Sequence, residues 1–234
     1  MSAPARIALL DWDWTLRDGF TASPWLRALA RDAQELAAAD RFDAALAAYL
    51  AGSLAYDRLA LLAEEVYVGI AAGRPVAELA ERAEAVAATD RLRPGAEALL
   101  AALRSAGIRP VVISGAPVEV LRAHARRLGI DPADVTGWEL ARDGDRIAPR
   151  LASGNTARAE AKAVVVARVA AGAEVVLGIG DSDGDRPLVA AARIGAWVDP
   201  RTADEARRVR WTDGRDGSTG TGSLADLARV PAAA

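Results

Sequence analysis

The chain has 234 residues, which is enough for one large domain or for one domain with an insertion. Its composition is 52% hydrophobic and 26% charged with a net charge of −3, which excludes general disorder and offers no basic surface for nucleic acid or an anionic membrane. It contains no cysteine, which excludes disulfides, thiolate nucleophiles and cysteine-based zinc sites.

The first predicted element is a buried strand at 6–11, a short apolar run that ends in Asp11. Residues 20–90 contain no strand-like run. They are rich in alanine and leucine and are predicted to be helical, with breaks at 51–53 and 71–75. This stretch is therefore expected to be a helical insertion between the first two strands.

The second part of the chain alternates between helical and strand-like patterns. The predicted elements are a helix at 95–107, a strand at 109–114, a helix at 118–129, a hairpin at 139–149, a helix at 157–172, strands at 174–181 and 194–199, and a weaker strand at 209–213. Residues 213–223 are predicted to form a loop and 230–234 a loose end. This alternation predicts an α/β fold in which helices cover both faces of a parallel sheet.

No apolar run has the length of a membrane span, and the longest one near the start is too short for the core of a signal peptide. We therefore predict a cytoplasmic protein that acts without a membrane or nucleic-acid partner. We expect it to be a monomer or a homodimer.

Polar residues follow three of the predicted strands. Asp11 and Asp13 end the first strand, Ser114 and Gly115 end the second, and residues 181–185 with three aspartates end the third. Because ligands of open parallel sheets bind at the carboxyl ends of the strands, we expect these residues to meet at one edge. Several carboxylates need a counter-charge, and a site that offers only oxygen ligands suits Mg²⁺.

The chain has one lysine, Lys162, against 28 arginines, and one histidine, His124. A lone lysine is either a compact charge that arginine cannot replace or a surface residue retained by chance, and composition leaves both open. His124 lies inside a helical pattern and is expected to be a surface or packing residue. With Mg²⁺ and a serine hydroxyl, the ammonium would suit a phosphate, which one aspartate could attack while another handles protons.

Four segments in order resemble the motifs of the haloacid dehalogenase superfamily. These are "DWDWTL", "VVISG", Lys162 and "GDSDGD", which match DxDx[TV][LV], a Ser or Thr after a strand, a Lys and GDxxxD. The resemblance covers about 6–200 and implies a Rossmann-like core at 1–19 and 91–234. The insertion at 20–90 is similar to a C1-type helical cap, and the chain most resembles the phosphoserine-phosphatase-like subfamily.

The resemblance implies roles for the residues after the first strand. Asp11 would be the nucleophile that forms an aspartyl-phosphate, with its other oxygen on Mg²⁺. Asp13 would be the general acid and base, and its backbone carbonyl would bind the metal. Thr15 would position Asp13.

The same resemblance assigns the other motifs. Ser114, Gly115 and Lys162 would hold the phosphoryl oxygens, with Ser114 and Lys162 counted as catalytic. Asp181 would be a ligand of Mg²⁺, and Asp185 would support the metal shell. The expected reaction is hydrolysis of a small phosphorylated metabolite, a phosphomonoester, with Mg²⁺ as the cofactor.

Two positions after the first strand depart from the family pattern, and in the last motif the usual Asn-Asp or similar pair appears as Gly184-Asp185, which keeps the Asp and loses a polar neighbour. Trp14 stands where relatives usually have a small residue, and Phe20 stands where phosphoserine phosphatases carry a Glu for the substrate amine, which argues against phosphoserine as the substrate. Trp14 either packs or narrows the pocket. The predicted substrate-selecting residues are Trp14, Phe20, Trp25, Tyr56 and Arg58.

Three alternatives stay open on the sequence. A phosphotransferase or mutase would use the same intermediate and pass the phosphoryl group to an alcohol. A non-catalytic scaffold of the same fold would bind a phosphorylated metabolite without turnover. The segment "GDSDGD" taken alone could be a surface turn or a calcium-binding loop.

Overall fold

The computed structural model describes residues 4–152, 159–205 and 208–230. The strands are β1 (Ala5–Leu10), β2 (Arg109–Pro117), β3 (Val135–Trp138), β4 (Leu140–Asp143), β5 (Arg146–Leu151), β6 (Ala173–Gly180), β7 (Ile194–Val198), β8 (Val209–Asp213) and β9 (Thr219–Gly222). The helices are α1 (Ala22–Leu29), α2 (Ala33–Leu50), α3 (Tyr56–Ala71), α4 (Val76–Thr89), α5 (Ala96–Ser105), α6 (Val118–Leu128), α7 (Ala159–Val169), α8 (Arg186–Ala191) and α9 (Leu224–Leu227). None of the helices in this part of the chain is long and apolar enough to cross a membrane.

Seven strands form one sheet in the order β3-β2-β1-β6-β7-β8-β9. The first five strands in this order run parallel, which confirms the predicted α/β class. β8 and β9 are antiparallel to their neighbours. The connections at 199–208 and 214–218 are too short for the crossover that a parallel pair needs, so the chain can only turn back.

Most predicted elements are present, with two corrections among the strands. The predicted loop at 213–223 contains β9, and β3 was not predicted at all. β9 pairs with β8 and carries Gly220, where a Cβ atom would lie 2.3 Å from the Trp211 ring. The absence of a side chain at Gly220 thus allows β9 to lie close to the Trp211 indole, although the composition of β9 is typical of a loop. Residues 157–158 of the predicted helix and 231–234 of the predicted loose end lie outside the described residues.

β1 is apolar on both faces because helices cover the sheet on both sides. Ala8 and Leu10 belong to a hydrophobic cluster with α5, α6 and α9, while Ile7 and Leu9 pack in a second cluster with α7 and α8. Successive side chains of a strand point to opposite faces, so a continuous apolar run is what a doubly covered strand requires. This burial therefore determines that the chain leaves the sheet directly after Leu10.

Residues between β1 and α5 form four helices, α1–α4, as the helical pattern predicts. They enclose a separate hydrophobic cluster around Trp25, Phe42 and Tyr67, which also contacts α6 and the β4–β5 hairpin. A break between α1 and α2 was not predicted; there the Asp32 side chain accepts hydrogen bonds from the first backbone amides of α2. The domain limits at residues 20 and 90 stay a prediction.

Candidate active site

The turn after β1 brings two carboxylates out of the sheet at its carboxyl edge. The Asp11 amide donates to the Ile179 carbonyl of β6 over 3.0 Å, which continues the sheet pairing by one residue. The backbone then curls around the Trp12 carbonyl, which accepts from the amides of Thr15, Leu16 and Arg17. The Trp12 side chain is buried in the core and anchors this turn.

Lys162 of α7 is buried beside the nucleophile candidate. Its Nζ donates to Asp11 Oδ1 over 2.8 Å and to Asp185 Oδ1 over 2.5 Å. Burial alone would lower the pKa of Lys162, but the charges of Asp11 and Asp185 raise it far above its ordinary value. The surface-residue alternative for Lys162 is therefore wrong.

Asp185 is fully buried, and both oxygens of its carboxylate accept hydrogen bonds. Oδ2 accepts from the Asp181 amide over 3.2 Å and from the Ser182 amide and Oγ over 3.0 Å each. Gly180 makes room for it, since a Cβ there would lie 2.1 Å from the Asp185 Cβ. The loop after β6 therefore folds around Asp185. This side chain links Lys162 to the backbone of the loop through hydrogen bonds.

Three carboxylates offer a cation site. One oxygen from each of Asp11, Asp181 and Asp185 lies within 4.8 Å of the others. Burial, and then the negative charge of a neighbour, raise the pKa of Asp11 and of Asp181 above the ordinary range. Oxygen-only ligands that need positive charge to ionise fit Mg²⁺. Asp183 does not join them: it is 87% exposed and pairs with Arg186, so the alternating acids do not form a calcium loop.

The Asp13 carboxylate lines the same cavity but does not belong to that cluster. Its Oδ1 accepts from the Thr21 amide over 3.0 Å and from the Thr21 hydroxyl. Thr15, which the sequence assigned to Asp13, instead donates its hydroxyl to Asp11 Oδ2 over 3.0 Å. Burial raises the pKa of Asp13 to about 6, against the lowering effect of the Thr21 hydrogen bonds. A carboxyl group with that pKa can give and take a proton near neutral pH.

Ser114 and Gly115 line the same cavity as Asp11 and Lys162, inside β2 rather than at its predicted end. Ser114 is fully buried, and its Oγ accepts from the Ala116 amide over 3.3 Å. All of the residues predicted for catalysis, phosphate and metal thus surround one cavity, except Thr15, which reaches it through Asp11.

Three of the five predicted substrate-selecting residues line this cavity: Trp14, Phe20 and Tyr56. The other two assignments are corrected. Trp25 is fully buried among α1–α4, with its ring 6.3 Å from that of Tyr67, and Arg58 is exposed and does not line the cavity. A helical pattern gives the spacing of side chains but not which of them face a neighbouring site.

Trp14 has an unusual backbone. Among described residues other than glycine, it alone has a positive φ, 59°. This left-handed conformation costs an L-residue about 1–2 kcal/mol. It is held by hydrogen bonds from the Trp14 amide to the Gly19 carbonyl and from the Arg93 guanidinium to the Trp14 carbonyl, over 3.3 and 2.9 Å. The turn therefore fixes the indole at the cavity wall.

Sequence reasoning missed three residues of the site, one of which is Ser182, a cavity residue that donates to Asp185. Thr21 holds Asp13, and Tyr49 of α2 lines the cavity with its ring 5.6 Å from that of Tyr56. Thr21 directly precedes α1, and a hydroxyl residue at that position indicates only the start of a helix. Nothing in the local pattern of α2 distinguishes Tyr49 from a packing residue.

A buried polar network lies behind the Asp11 turn, where the chain passes between the sheet and the four helices. Arg17 Nε donates to Asp90 Oδ2 over 2.6 Å, and the His124 Nε2 lies 3.1 Å from the same oxygen. The His124 ring also contacts Trp12, at 4.8 Å between centroids. His124 is thus a packing residue, as expected. Through its contact with Asp90, it helps to stabilise the two segments, at residues 17 and 90, in which the chain crosses between the sheet and the four helices.

The chain is similar to known proteins in both sequence and structure. A family model described as haloacid dehalogenase-like hydrolase matches residues 8–190. A protein of unknown function from Bordetella pertussis Tohama I has a similar structure, with a TM-score of 0.64 and 24% identity over 81% of this chain and 87% of that one.

Two further solved structures share the fold. A phosphoserine phosphohydrolase-like protein from Francisella tularensis subsp. tularensis SCHU S4 has a TM-score of 0.60 and 17% identity, covering 82% of this chain and 86% of that one. A substrate-bound phosphoserine phosphatase has a TM-score of 0.58 and 17% identity, covering 85% and 86%. No curated protein sequence matches the chain.

Proposed function

The chain belongs to the haloacid dehalogenase-like hydrolase family, and on that premise we propose that it is a Mg²⁺-dependent phosphatase acting on a small phosphomonoester. The observation that carries the proposal is the buried ammonium of Lys162 between Asp11 and Asp185, at the edge where Asp181 and Ser114 also converge. Such a site brings positive charge to a bound dianion among buried side chains, where charge interactions are strong.

In the first step Asp11 attacks phosphorus, so that a bond from its carboxylate oxygen to phosphorus forms while the bond to the leaving oxygen breaks. Asp13 gives its proton to that leaving oxygen. Thr15 holds the second oxygen of Asp11, which keeps the attacking group in one orientation.

In the second step water attacks the phosphorus of the aspartyl-phosphate and gives its proton to Asp13. Asp11 leaves as a carboxylate, and inorganic phosphate is released. Lys162, the Ser114 hydroxyl and the Gly115 amide would hold the phosphoryl oxygens in both steps. Mg²⁺ held by Asp11, Asp181 and Asp185, with the Asp13 carbonyl, would supply further positive charge against the phosphoryl oxygens.

The test is phosphate release from an aryl phosphate by chelator-treated protein to which Mg²⁺ or Ca²⁺ is returned. We expect activity with Mg²⁺, none without metal, and inhibition by Ca²⁺, whose larger and looser shell misplaces the nucleophile. Asp11→Asn should abolish turnover and retain substrate binding. Full activity without metal would overturn the metal assignment, and near-native activity of Asp11→Asn would overturn the covalent mechanism.

The same assay separates the two alternatives. With a simple alcohol added as acceptor, a hydrolase releases one inorganic phosphate for each phenol, whereas a phosphotransferase releases less phosphate than phenol. A non-catalytic scaffold would bind the phosphate ester and release neither product. Cytoplasmic location and the monomeric or homodimeric state remain predictions.

A further inference from the structure

A groove outside the candidate site shares a wall with the inner cavity. Trp14, Tyr49, Asp181 and Ser182 line both spaces. The inner cavity has a volume of about 40 Å³, whereas the groove has about 690 Å³, the size of a small-molecule site. The inner space therefore suits the phosphoryl group alone, and the groove is the adjoining space for the rest of a substrate.

Three aromatic side chains line the groove. Trp14 and Tyr49 stand at the inner end, and Trp197 of β7 stands along the side. Trp197 is half-buried and lies opposite Arg210 in the pairing of β7 with β8. Flat aromatic walls of this kind stack on planar groups at low entropic cost.

The charged residues of the groove differ in whether they already have ion-pair or hydrogen-bond partners. Arg201 and Arg210 are exposed, and neither guanidinium forms an ion pair within 4 Å in the described part of the chain. By contrast, the Asp183 carboxylate pairs with Arg186 over 2.8 Å, and Asp199 Oδ1 accepts the Arg201 backbone amide over 3.0 Å. The groove thus offers two arginines to an anion, while Asp183 and Asp199 already have partners and Asp181 belongs to the cluster with Asp11 and Asp185.

Trp14 marks the boundary between the two spaces. Its indole Nε1 is buried and donates to no acceptor among the described residues. A buried donor without a partner costs free energy, and so does the left-handed backbone that holds this indole in place. An acceptor atom of a bound ligand at this boundary would satisfy the donor.

We propose that the substrate's leaving group is a planar aromatic group with an acidic substituent, which lies in the groove against Trp14 and Trp197 with its anion toward Arg201 and Arg210. The inference rests on the proposed phosphatase function. The phosphoryl group would occupy the inner cavity, and the bridging oxygen would cross the boundary at Trp14. The site would thereby select aryl or arylmethyl phosphates that carry a carboxylate or a similar acid.

Three substrates, which carry their substituents at the same position of the ring, test the charge preference: 4-methylphenyl phosphate, 4-(carboxymethyl)phenyl phosphate and 4-(aminomethyl)phenyl phosphate. We expect kcat/KM for the acid to exceed that for the neutral ester by about tenfold, and the amine to be the poorest substrate. Because both arginines are exposed, the preference should shrink as ionic strength rises.

Variants identify the residues responsible. The double change Arg201→Gln and Arg210→Gln should bring the acid-to-neutral ratio of kcat/KM close to one. Arg142→Gln, an exposed arginine on the β4–β5 hairpin outside the groove, should keep the ratio. Trp197→Leu should raise KM for all three esters about equally, since it removes stacking and leaves the arginines.

Failure of the inference and failure of the proposed function give different results. Release of phosphate from all three esters with ratios within twofold, or a preference for the amine, would overturn the groove assignment and leave the phosphatase intact. A wild-type ratio in the double variant would overturn it as well. No phosphate from any ester, with Asp11→Asn indistinguishable from the wild type, would overturn both.

Discussion

Lys162 Nζ lies 2.8 Å from Asp11 Oδ1, and the two side chains are only 4% and 5% exposed. The contact joins α7 to the end of β1 across 151 positions of sequence. A single ammonium there donates to two buried aspartates, Asp11 and Asp185. This geometry decides between the two roles that composition left open for the lysine.

Lys162→Arg should be nearly as damaging as Lys162→Ala. The guanidinium keeps the charge but is planar and longer, so it cannot occupy that point without displacing Asp11, Asp185 or the substrate. We expect both variants to lose about 10²–10³-fold in kcat, the range for removal of one charge-stabilising donor. Steady-state kinetics measures the loss.

Arg168→Lys is the matched control on the same helix, where residue 168 is exposed. It should be silent in rate and stability because lysine and arginine have similar helix propensities. Wild-type turnover by Lys162→Arg would contradict the bridging role.

Thr21 should act as a positioning residue for Asp13. Thr21→Val removes the hydroxyl that holds the Asp13 carboxylate and should lower kcat by about 10- to 100-fold with little change in KM. Thr21→Ser restores the hydroxyl and should recover most of the rate. Equal losses in both variants would mean that Thr21 only packs.

Trp14→Gly should be more stable than Trp14→Ala by about 1 kcal/mol. Glycine adopts a φ of 59° without strain, whereas alanine keeps the left-handed penalty. Trp14→Gly should also widen the substrate range by opening the cavity wall. Urea unfolding gives the stability difference, and a phosphate-ester panel gives the range.

Trp12→Ala is the core comparison for these variants, because Trp12 is fully buried, and it should cost about 3–5 kcal/mol. If Trp14→Ala proved as stable as Trp14→Gly, the left-handed backbone at residue 14 would be refuted. A large loss of stability with an unchanged panel would refute the pocket role of the indole.

Asp90→Asn should destabilise the protein at neutral pH and much less in acid. Burial would raise the pKa of Asp90, but hydrogen bonds from His124 and Arg17 lower it to about 2, below its ordinary value of 3.8. A lowered pKa contributes stability that is present above pH 3.8 and is lost as the pH falls toward 2.

The expected difference between Asp90→Asn and the wild type is about 2 kcal/mol at pH 7 and should diminish below pH 4. Denaturant unfolding at several pH values measures it. Asp40→Asn, which breaks an exposed pair with Arg27, should change little at either pH. A pH-independent cost of Asp90→Asn would contradict the ion-pair explanation.

Four of the five parallel strands could be predicted because burial on both faces demands an apolar run, as in 6–11; the short strand β3 was not predicted. β9 could not, since its pairing depends on β8 and on the space under Trp211 rather than on its own composition. The motif residues converge because parallel strands end at one edge, which topology guarantees.

The partners of individual oxygens could not be predicted from spacing. Thr15 and Thr21 are both near the two aspartates in sequence, and only the turn around the Trp12 carbonyl decides that Thr15 reaches Asp11 and Thr21 reaches Asp13. Trp25 was misassigned for a related reason. Its neighbours come from other helices, so no local pattern reports which side it faces.

The burial of a solitary lysine has a practical consequence. Apart from the α-amine of the chain, Lys162 is the one aliphatic amine in the sequence, and its side chain is 4% exposed. An acylating reagent can react with that nitrogen only when the nitrogen has left Asp11 and Asp185 and has lost its proton. The mass added at Lys162, followed over time by mass spectrometry, would therefore count openings of this one site, with no engineered label.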